Sequence, residues 1–278
     1  MHFAGVNLDV ARVMGVINVS PESFYKGSVA KREEELIERV LKMIEDGASF
    51  IDIGARSTAP YLQTAISVEE EKRRILWAFE TLKSLELKVP LSADTTNSEV
   101  AEAAINAGAE IVNDVTGLKS DPRMAKIVKE YDCSVIICAY KKGLSFKDPL
   151  DNVIAALDES IEIAKALDID NEKIAVDPAI GFFRPEWIPW YDWDSEVIAN
   201  LSLLKKKFEF PLLVGVSRKS FIGKITGRED PSERLFGSLA ATAIAVFNGA
   251  DIIRTHDVRE SLDAIKIACY LRKHLCRS

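Results

Sequence analysis

Short apolar runs alternate with longer amphipathic runs along the whole chain, eight times over. The strand candidates are Val13–Asn18, Phe50–Ile53, Leu91–Asp94, Ile111–Asp114, Ser134–Ala139, Ile174–Asp177, Leu212–Gly215 and Ile252–Thr255. Between and after them, helical spacing covers Lys31–Glu45, Val68–Leu85, Asn97–Ala107, Asp121–Tyr131, Asp151–Ala166, Ser195–Lys207, Pro231–Asn248 and Val258–Leu275. In the first of these, Leu36, Val40 and Ile44 form one apolar stripe. A single run of four or five residues says little. Eight strand–helix units in regular order say much more, because a helix returning the chain makes the next strand parallel. They predict an α/β fold: a closed TIM or (β/α)8 barrel, one domain spanning 1–278. An open doubly wound sheet is the alternative. It expects a glycine-rich phosphate loop after its first strand, and Val13–Asn18 runs into NVSPESF instead.

Bulk properties narrow the partners. With 278 residues, 47% of them hydrophobic, the chain has material for a large core. A net charge of −7 argues against binding nucleic acid or an anionic membrane through general attraction. No apolar run approaches the ~18 residues of a membrane span, and the N-terminus lacks the basic-then-apolar pattern of a secretion signal. The four cysteines form no CxxC pair and only three histidines occur, so a structural zinc site has no support. Free thiols in a reducing, cytoplasmic setting are the expectation.

The strand ends carry the chemistry. In a parallel barrel the functional groups stand at the C-terminal ends of the strands. Those positions hold Asn18, Asp52, Asp94, Asn113 with Asp114, Asp177, Ser217 with Lys219, and Arg254 with His256. Charged groups are rarely buried unless paired or functional. Asp94, Asn113 and Asp177, with Lys219 as a donor, form an acceptor-rich face suited to a flat heterocycle bearing N–H groups. Asn18, Arg254 and His256 form a second face suited to a multiply charged anion. Arg254 and His256 are two residues apart and should point the same way, into the barrel mouth. Each residue has a plainer role open to it: Asp94 or Asp177 as a helix cap, Asn113 as a loop bridge, Lys219 as a solvated cation, Arg254 as a partner for Asp251 or Asp257.

Six segments, in order, resemble the dihydropteroate synthase family. They are GVINVSPESF, IDIGARSTAP, LSADTTNSEVAEAAINAGAEIVNDVTG, VDPAIGF, LVGVSRKSFIG and GADIIRTHDV. The resemblance implies an enzyme that condenses a hydroxymethyl-dihydropterin diphosphate with an aromatic amine and releases diphosphate. It implies that Asp94, Asn113, Asp177 and Lys219 hold the pterin. Asn18, Arg254 and His256 would hold the diphosphate, with Mg2+ near Asn18. Phe182 and Ser217 would border the amine, with Thr58 close by. Asp94, Lys219, Arg254 and His256 would carry catalysis, and a homodimer paired through helices opposite the mouth is implied. A pterin-dependent methyltransferase serving a corrinoid protein shares the pterin contacts but needs no anion face. A non-catalytic pterin-binding protein needs no place for a leaving group.

The departures from the family pattern cluster in two loops. Glu22 and Lys26 replace two acids, Arg56 stands where glutamate is usual, and Ala59 stands where arginine is usual. Cys138 and Ala139 replace a Met-His pair. Archaeal members carry similar GA-STAP and SRKSFIG segments and are associated with methanopterin-type cofactors. Lys26 and Arg56 would then recognise a phosphate on a ribofuranosyl-aminobenzene amine; otherwise both are solvated loop charges. The run FFRPEWIPWYDWD (Phe182–Asp194) places three tryptophans and a tyrosine after the sixth strand. It is expected to form a lid over the mouth, to pack on a partner subunit or to cover the sixth helix.

Overall fold

The computed structural model describes residues 1–20, 32–56, 66–140 and 143–274. Lys26 and Thr58 lie outside the described residues, as do Glu22, Ala59 and Cys276. Within them, a two-stranded hairpin of β1 (His2–Phe3) and β2 (Val6–Asn7) precedes the barrel. Its strands are β3 (Arg12–Asn18), β4 (Phe50–Gly54), β5 (Leu91–Asp94), β6 (Ile111–Asp114), β7 (Ser134–Cys138), β8 (Ile174–Asp177), β9 (Leu213–Val214) and β10 (Ile252–Thr255). All pair in parallel, in the order β8-β7-β6-β5-β4-β3-β10-β9. A bridge between Val176 and Leu212 closes the ring, and the Val176 N–H donates to the Pro211 carbonyl at 2.9 Å.

The outer helices are α1 (Glu33–Glu45), α2 (Val68–Lys83), α3 (Ser98–Asn106), α4 (Met124–Glu130), α5 (Pro149–Ala166), α6 (Trp190–Ala199), α7 (Leu201–Lys207), α8 (Ser220–Thr226), α9 (Leu235–Phe247) and α10 (Val258–Lys273). Local signals set many boundaries. The Asn97 side chain accepts from the Glu99 and Val100 N–H groups to start α3. Asp148 does the same for α5, whose first residue is Pro149. Four features depart from the sequence expectation. The predicted Ser195–Lys207 helix begins earlier, at Trp190, and breaks at Asn200 into α6 and α7. The Pro231–Asn248 helix starts as a 3-10 turn over Pro231–Arg234. The short α8 and the N-terminal hairpin are additional, each too short to show a period.

Two apolar layers follow from the pleat. Ile51, Ile53, Val112, Val135, Ile137, Val176 and Ile253 face the helices. Phe3, Met14, Phe50, Ile111, Ile136, Ala175, Leu213 and Ile252 fill the barrel interior. The hairpin plugs the N-terminal end, its Phe3 ring 6.0 Å from that of Phe50. Successive side chains alternate across a strand. Two residues beyond this inner layer therefore stand Asp52 above Phe50, Asn113 above Ile111, Cys138 above Ile136, Asp177 above Ala175 and Arg254 above Ile252. The interior thus ends in a polar ring at the C-terminal mouth.

Candidate active site

At the centre of the ring is Arg254. Its Nε donates to Asp52 Oδ2 at 2.7 Å and its Nη2 to Asp94 Oδ2 at 2.7 Å. Asn113 Nδ2 also donates to Asp52 Oδ2, at 3.1 Å. Asp52 is fully buried, and Asp94 and Asn113 nearly so. Both carboxylates keep one oxygen unused: Asp52 Oδ1 and Asp94 Oδ1 are buried with no hydrogen-bond partner. Burial pushes Asp94 above the usual carboxylate range, against the pull of Arg254, and the neighbouring Asp52 adds to the rise. Burial also works against the Arg254 charge, but Asp52 and Asp94 outweigh it and hold the guanidinium above its ordinary value.

The acidic floor continues to Asp177, whose Oδ1 accepts the Ala179 N–H at 2.7 Å. Burial raises Asp177, opposed chiefly by Lys219. Lys219 is lowered by the same burial and supported by Asp177 and Asp194. Its ammonium donates to the Ile180 carbonyl and lies 4.8 Å from the centre of the Phe182 ring. Gly181 makes this approach possible. Its φ is +84°, and a Cβ there would sit 2.8 Å from Lys219 Cδ. On the far side of Arg254, the Ser217 hydroxyl lies 3.0 Å from His256 Nδ1. Burial, then Arg254, Arg218 and Lys219, depress His256 to about 3, so the imidazole is neutral near pH 7. Asn18 ends β3 beside this floor. A Cβ on Gly54 would stand 3.4 Å from Asn18 Oδ1 and 3.6 Å from Asp94 Oδ2.

The sequence-derived residues Asn18, Asp94, Asn113, Asp177, Phe182, Ser217, Lys219, Arg254 and His256 therefore converge on one mouth. The plainer pairings of Arg254 do not occur: Asp257 is taken by Arg218 and Asp251 by Lys205. Two expectations change. Arg254 is not confined to an anion face, since it lies across two carboxylates of the acidic floor. Arg56 is not a solvated loop charge. Its Nη2 donates to Thr96 Oγ1, and its Nε is 3.4 Å from Glu71 Oε2 on α2. Glu71 is itself buried and accepts from Thr95 Oγ1 at 2.6 Å.

Two acids of the site were not singled out for a role by the sequence. Asp52 is one, although an aspartate between two isoleucines in a buried strand is a strong signal. Asp194 on α6 is the other. It is fully buried, its Oδ1 accepts the Gly181 N–H at 2.8 Å, and its Oδ2 has no partner. The aromatic run mostly packs on its own chain. Trp193 is buried and stacked on Phe183 at 4.8 Å, and the Arg184 guanidinium lies 5.4 Å from the Trp190 ring centre. Trp187 is exposed, and its Nε1 donates to the Lys147 carbonyl at 3.4 Å.

A closed parallel barrel whose mouth sets an acidic, nearly dry floor beside basic groups defines an enzyme of the polar-heterocycle-binding kind. Comparison with known proteins sharpens this. The family described as pterin binding enzyme matches residues 14–256. The dihydropteroate synthase of Bacillus subtilis is 34% identical over 248 residues, 89% of this chain and 84% of that protein. The Clostridium beijerinckii enzyme is 34% identical over 92% of each chain. The crystal structure of the Clostridium difficile dihydropteroate synthase in the presence of pteroic acid superposes with a TM-score of 0.85 at 35% identity, covering 95% of this chain and 97% of that one. The Xanthomonas albilineans enzyme with 4-aminobenzoic acid gives a TM-score of 0.86 at 35% identity, covering 96% and 95%. The chain belongs to the pterin binding enzyme family, among the dihydropteroate synthases, and is a transferase.

Proposed function

We propose that the protein joins a 6-hydroxymethyl-dihydropterin diphosphate to an aromatic amine, forming a dihydropteroate-type product and releasing diphosphate. The observation that carries this is the pair of unpartnered carboxylate oxygens, Asp52 Oδ1 and Asp94 Oδ1, beneath Arg254. A buried acceptor without a donor is costly. A pterin ring, with its amino and ring N–H groups, supplies donors of the kind these oxygens lack. In this proposal Asp94, Asn113, Asp177 and Lys219 hold the pterin, and Asp52 orients Arg254 and Asn113 through Oδ2 while its Oδ1 accepts from the ring.

Arg254 presents Nε and Nη2 to the carboxylates, while its Nη1 takes no partner among the described residues. That amino group is the donor left for the diphosphate, with His256 beside it. As the bond from the pterin methylene to oxygen breaks, negative charge grows on the diphosphate and positive charge on the pterin. Arg254 stabilises the first and the ionised form of Asp94 the second. The neutral amine, bordered by Phe182 and with Thr58 of the loop after β4 close by, attacks the methylene and loses its proton afterwards. Arg56 takes part through Glu71 and Thr96, tying the β4 and β5 loops, and Lys26 remains the candidate for an extra phosphate on the amine.

Mg2+ fits the site in a specific way. Among the described residues no cluster of three His, Cys, Asp or Glu side chains forms a metal cage. Mg2+ commonly takes one or two protein oxygens and completes its shell with phosphate and water. The Asn18 side-chain oxygen supplies such a donor, and the ion would neutralise charge on the diphosphate.

The same proposal includes a cytoplasmic homodimer. Phe236 and Ile244 on α9, and Ile267 and Tyr270 on α10, are each more than half exposed, which favours covering by a second copy. No helix among the described residues is long and apolar enough to cross a membrane.

The test is diphosphate release from one pterin diphosphate in two parallel reactions, one with p-aminobenzoate and one with the ribofuranosyl-aminobenzene phosphate. Mg2+-dependent release with either supports the proposal, and the faster arm names the amine. Binding of the pterin diphosphate with no release from any aryl amine would sink it.

A further inference from the structure

The Ser217 hydroxyl meets the same residue twice. It lies 3.0 Å from His256 Nδ1 and accepts the His256 backbone N–H at 3.3 Å. Ser217 is 5% exposed and makes no other hydrogen bond among the described residues. A hydroxyl has one proton and two lone pairs. One lone pair receives the backbone N–H. If Nδ1 carried the imidazole proton, it would donate to the second lone pair. The serine proton would then be buried without an acceptor, which folded proteins avoid. The opposite arrangement gives the serine proton its acceptor: the Ser217 O–H donates to Nδ1, and the proton of the neutral imidazole sits on Nε2.

We infer that Ser217 is a positioning residue, which fixes His256 as the Nε2–H tautomer and so makes it a neutral hydrogen-bond donor to the departing diphosphate. This rests on the function proposed above for His256, and it moves Ser217 away from the amine. A neutral donor suits this position. Arg254, Arg218 and Lys219 already surround His256 with positive charge, and an imidazolium among them would be repelled. The donor keeps its proton throughout, so no proton transfer to the leaving group is needed.

Nuclear magnetic resonance of protein labelled with 15N at its three histidines reads the tautomer directly. His256 is assigned by comparison with His2→Gln and His274→Gln proteins. Resting wild type at pH 7 should show His256 protonated at Nε2 alone. Ser217→Ala should lose that single pattern, and Ser217→Thr, which keeps a hydroxyl, should restore it. In steady state, Ser217→Ala should lower kcat about tenfold, because full removal of one such donor is worth roughly 10^2-fold. KM for the amine should stay the same. A wild-type His256 protonated at Nδ1 or at both nitrogens overturns the inference. So does a raised amine KM with unchanged kcat in Ser217→Ala. The resonance experiment needs no substrate. An Nε2–H pattern in a protein that releases no diphosphate would therefore refute the proposed reaction and leave the tautomer assignment standing.

Discussion

Two arginines at the barrel mouth are surrounded by carboxylates in opposite ways. Arg218, 6% exposed, sends Nε and Nη2 to both oxygens of Asp257 at 2.9 and 2.7 Å. Its Nη1 donates to the Pro231 and Ser232 carbonyls at 2.9 and 2.8 Å. Arg254, 22% exposed, divides Nε and Nη2 between Asp52 and Asp94, and each acid keeps an oxygen without a partner. The first network is closed and joins the β9 turn to the start of α10. The second is open and leaves hydrogen-bonding capacity unmet in a nearly dry place. Closed buried networks rigidify a fold, and open ones cost stability until something completes them. The difference separates a structural arginine from one that awaits a ligand.

The largest expected effect comes from breaking the open network. Arg254→Met should cut turnover by about 10^2- to 10^3-fold. With the cation gone, Asp94 loses the charge that opposes its burial, and its pKa rises further. A carboxyl whose pKa is raised on folding stabilises the protein at acid pH, and that contribution is lost as pH rises. Thermal melts of Arg254→Met should therefore fall further below wild type at pH 8 than at pH 5.

Breaking the closed network should do the reverse. Arg218→Met should cost about 3–5 kcal/mol in urea unfolding, because Asp257 is left without its partner. Turnover per folded molecule should drop far less than in Arg254→Met. Comparable losses of stability and of activity in both variants would erase the distinction.

Asp194 gives a smaller, pH-dependent effect. Burial raises it to about 6, opposed first by the Gly181 N–H and then by Lys219 and Arg184. The folded protein then holds this proton more tightly than the unfolded chain. The stabilisation is complete below about pH 4 and is lost as pH rises through 6. An asparagine side chain at this position would keep the acceptor for Gly181 but would not titrate. Asp194→Asn should therefore gain on wild type as pH rises from 4 to 7, by up to about 3 kcal/mol, in urea unfolding across that range.

The smallest effect concerns access to the floor. Burial pushes the Cys133 thiol up to about 11 and the Cys138 thiol well above its usual range, with Asp177 adding to the latter. Cys269 is only partly buried. Iodoacetamide followed by mass spectrometry should label Cys269 before Cys133 and Cys138. Early labelling of Cys138 would mean that the floor is open to solvent.

The closed sheet and the convergence at its mouth were legible because the pleat ties pattern to place. Asp94, Asn113, Asp177 and Arg254 stand at strand ends, where a polar residue interrupts an apolar run. Partners were not legible in the same way. That Arg254 reaches Asp52, 202 positions away in the chain, depends on β3, β4 and β10 being neighbours around the ring. Arg56 read as a phosphate ligand or a solvated loop charge, and not as an ion-pair partner, because Glu71 on α2 reads as one of three consecutive glutamates on a solvated helix. The aromatic run looked like a loop because Pro185 and Pro189 punctuate it, yet Trp190 opens a helix and Trp193 is buried beneath it. Asp194 sits in that same run and was hidden by it.

The central claim is that the unpartnered oxygens of the floor accept a pterin while Arg254 and His256 take its leaving diphosphate. A crystal structure of the protein with 6-hydroxymethylpterin, diphosphate and Mg2+ tests it most directly. The account predicts pterin N–H donors within hydrogen-bond distance of Asp52 Oδ1, Asp94 Oδ1 and Asp177, and diphosphate oxygens on Arg254 and His256. A pterin seated elsewhere, with Asp52 Oδ1 and Asp94 Oδ1 still lacking donors, would contradict it.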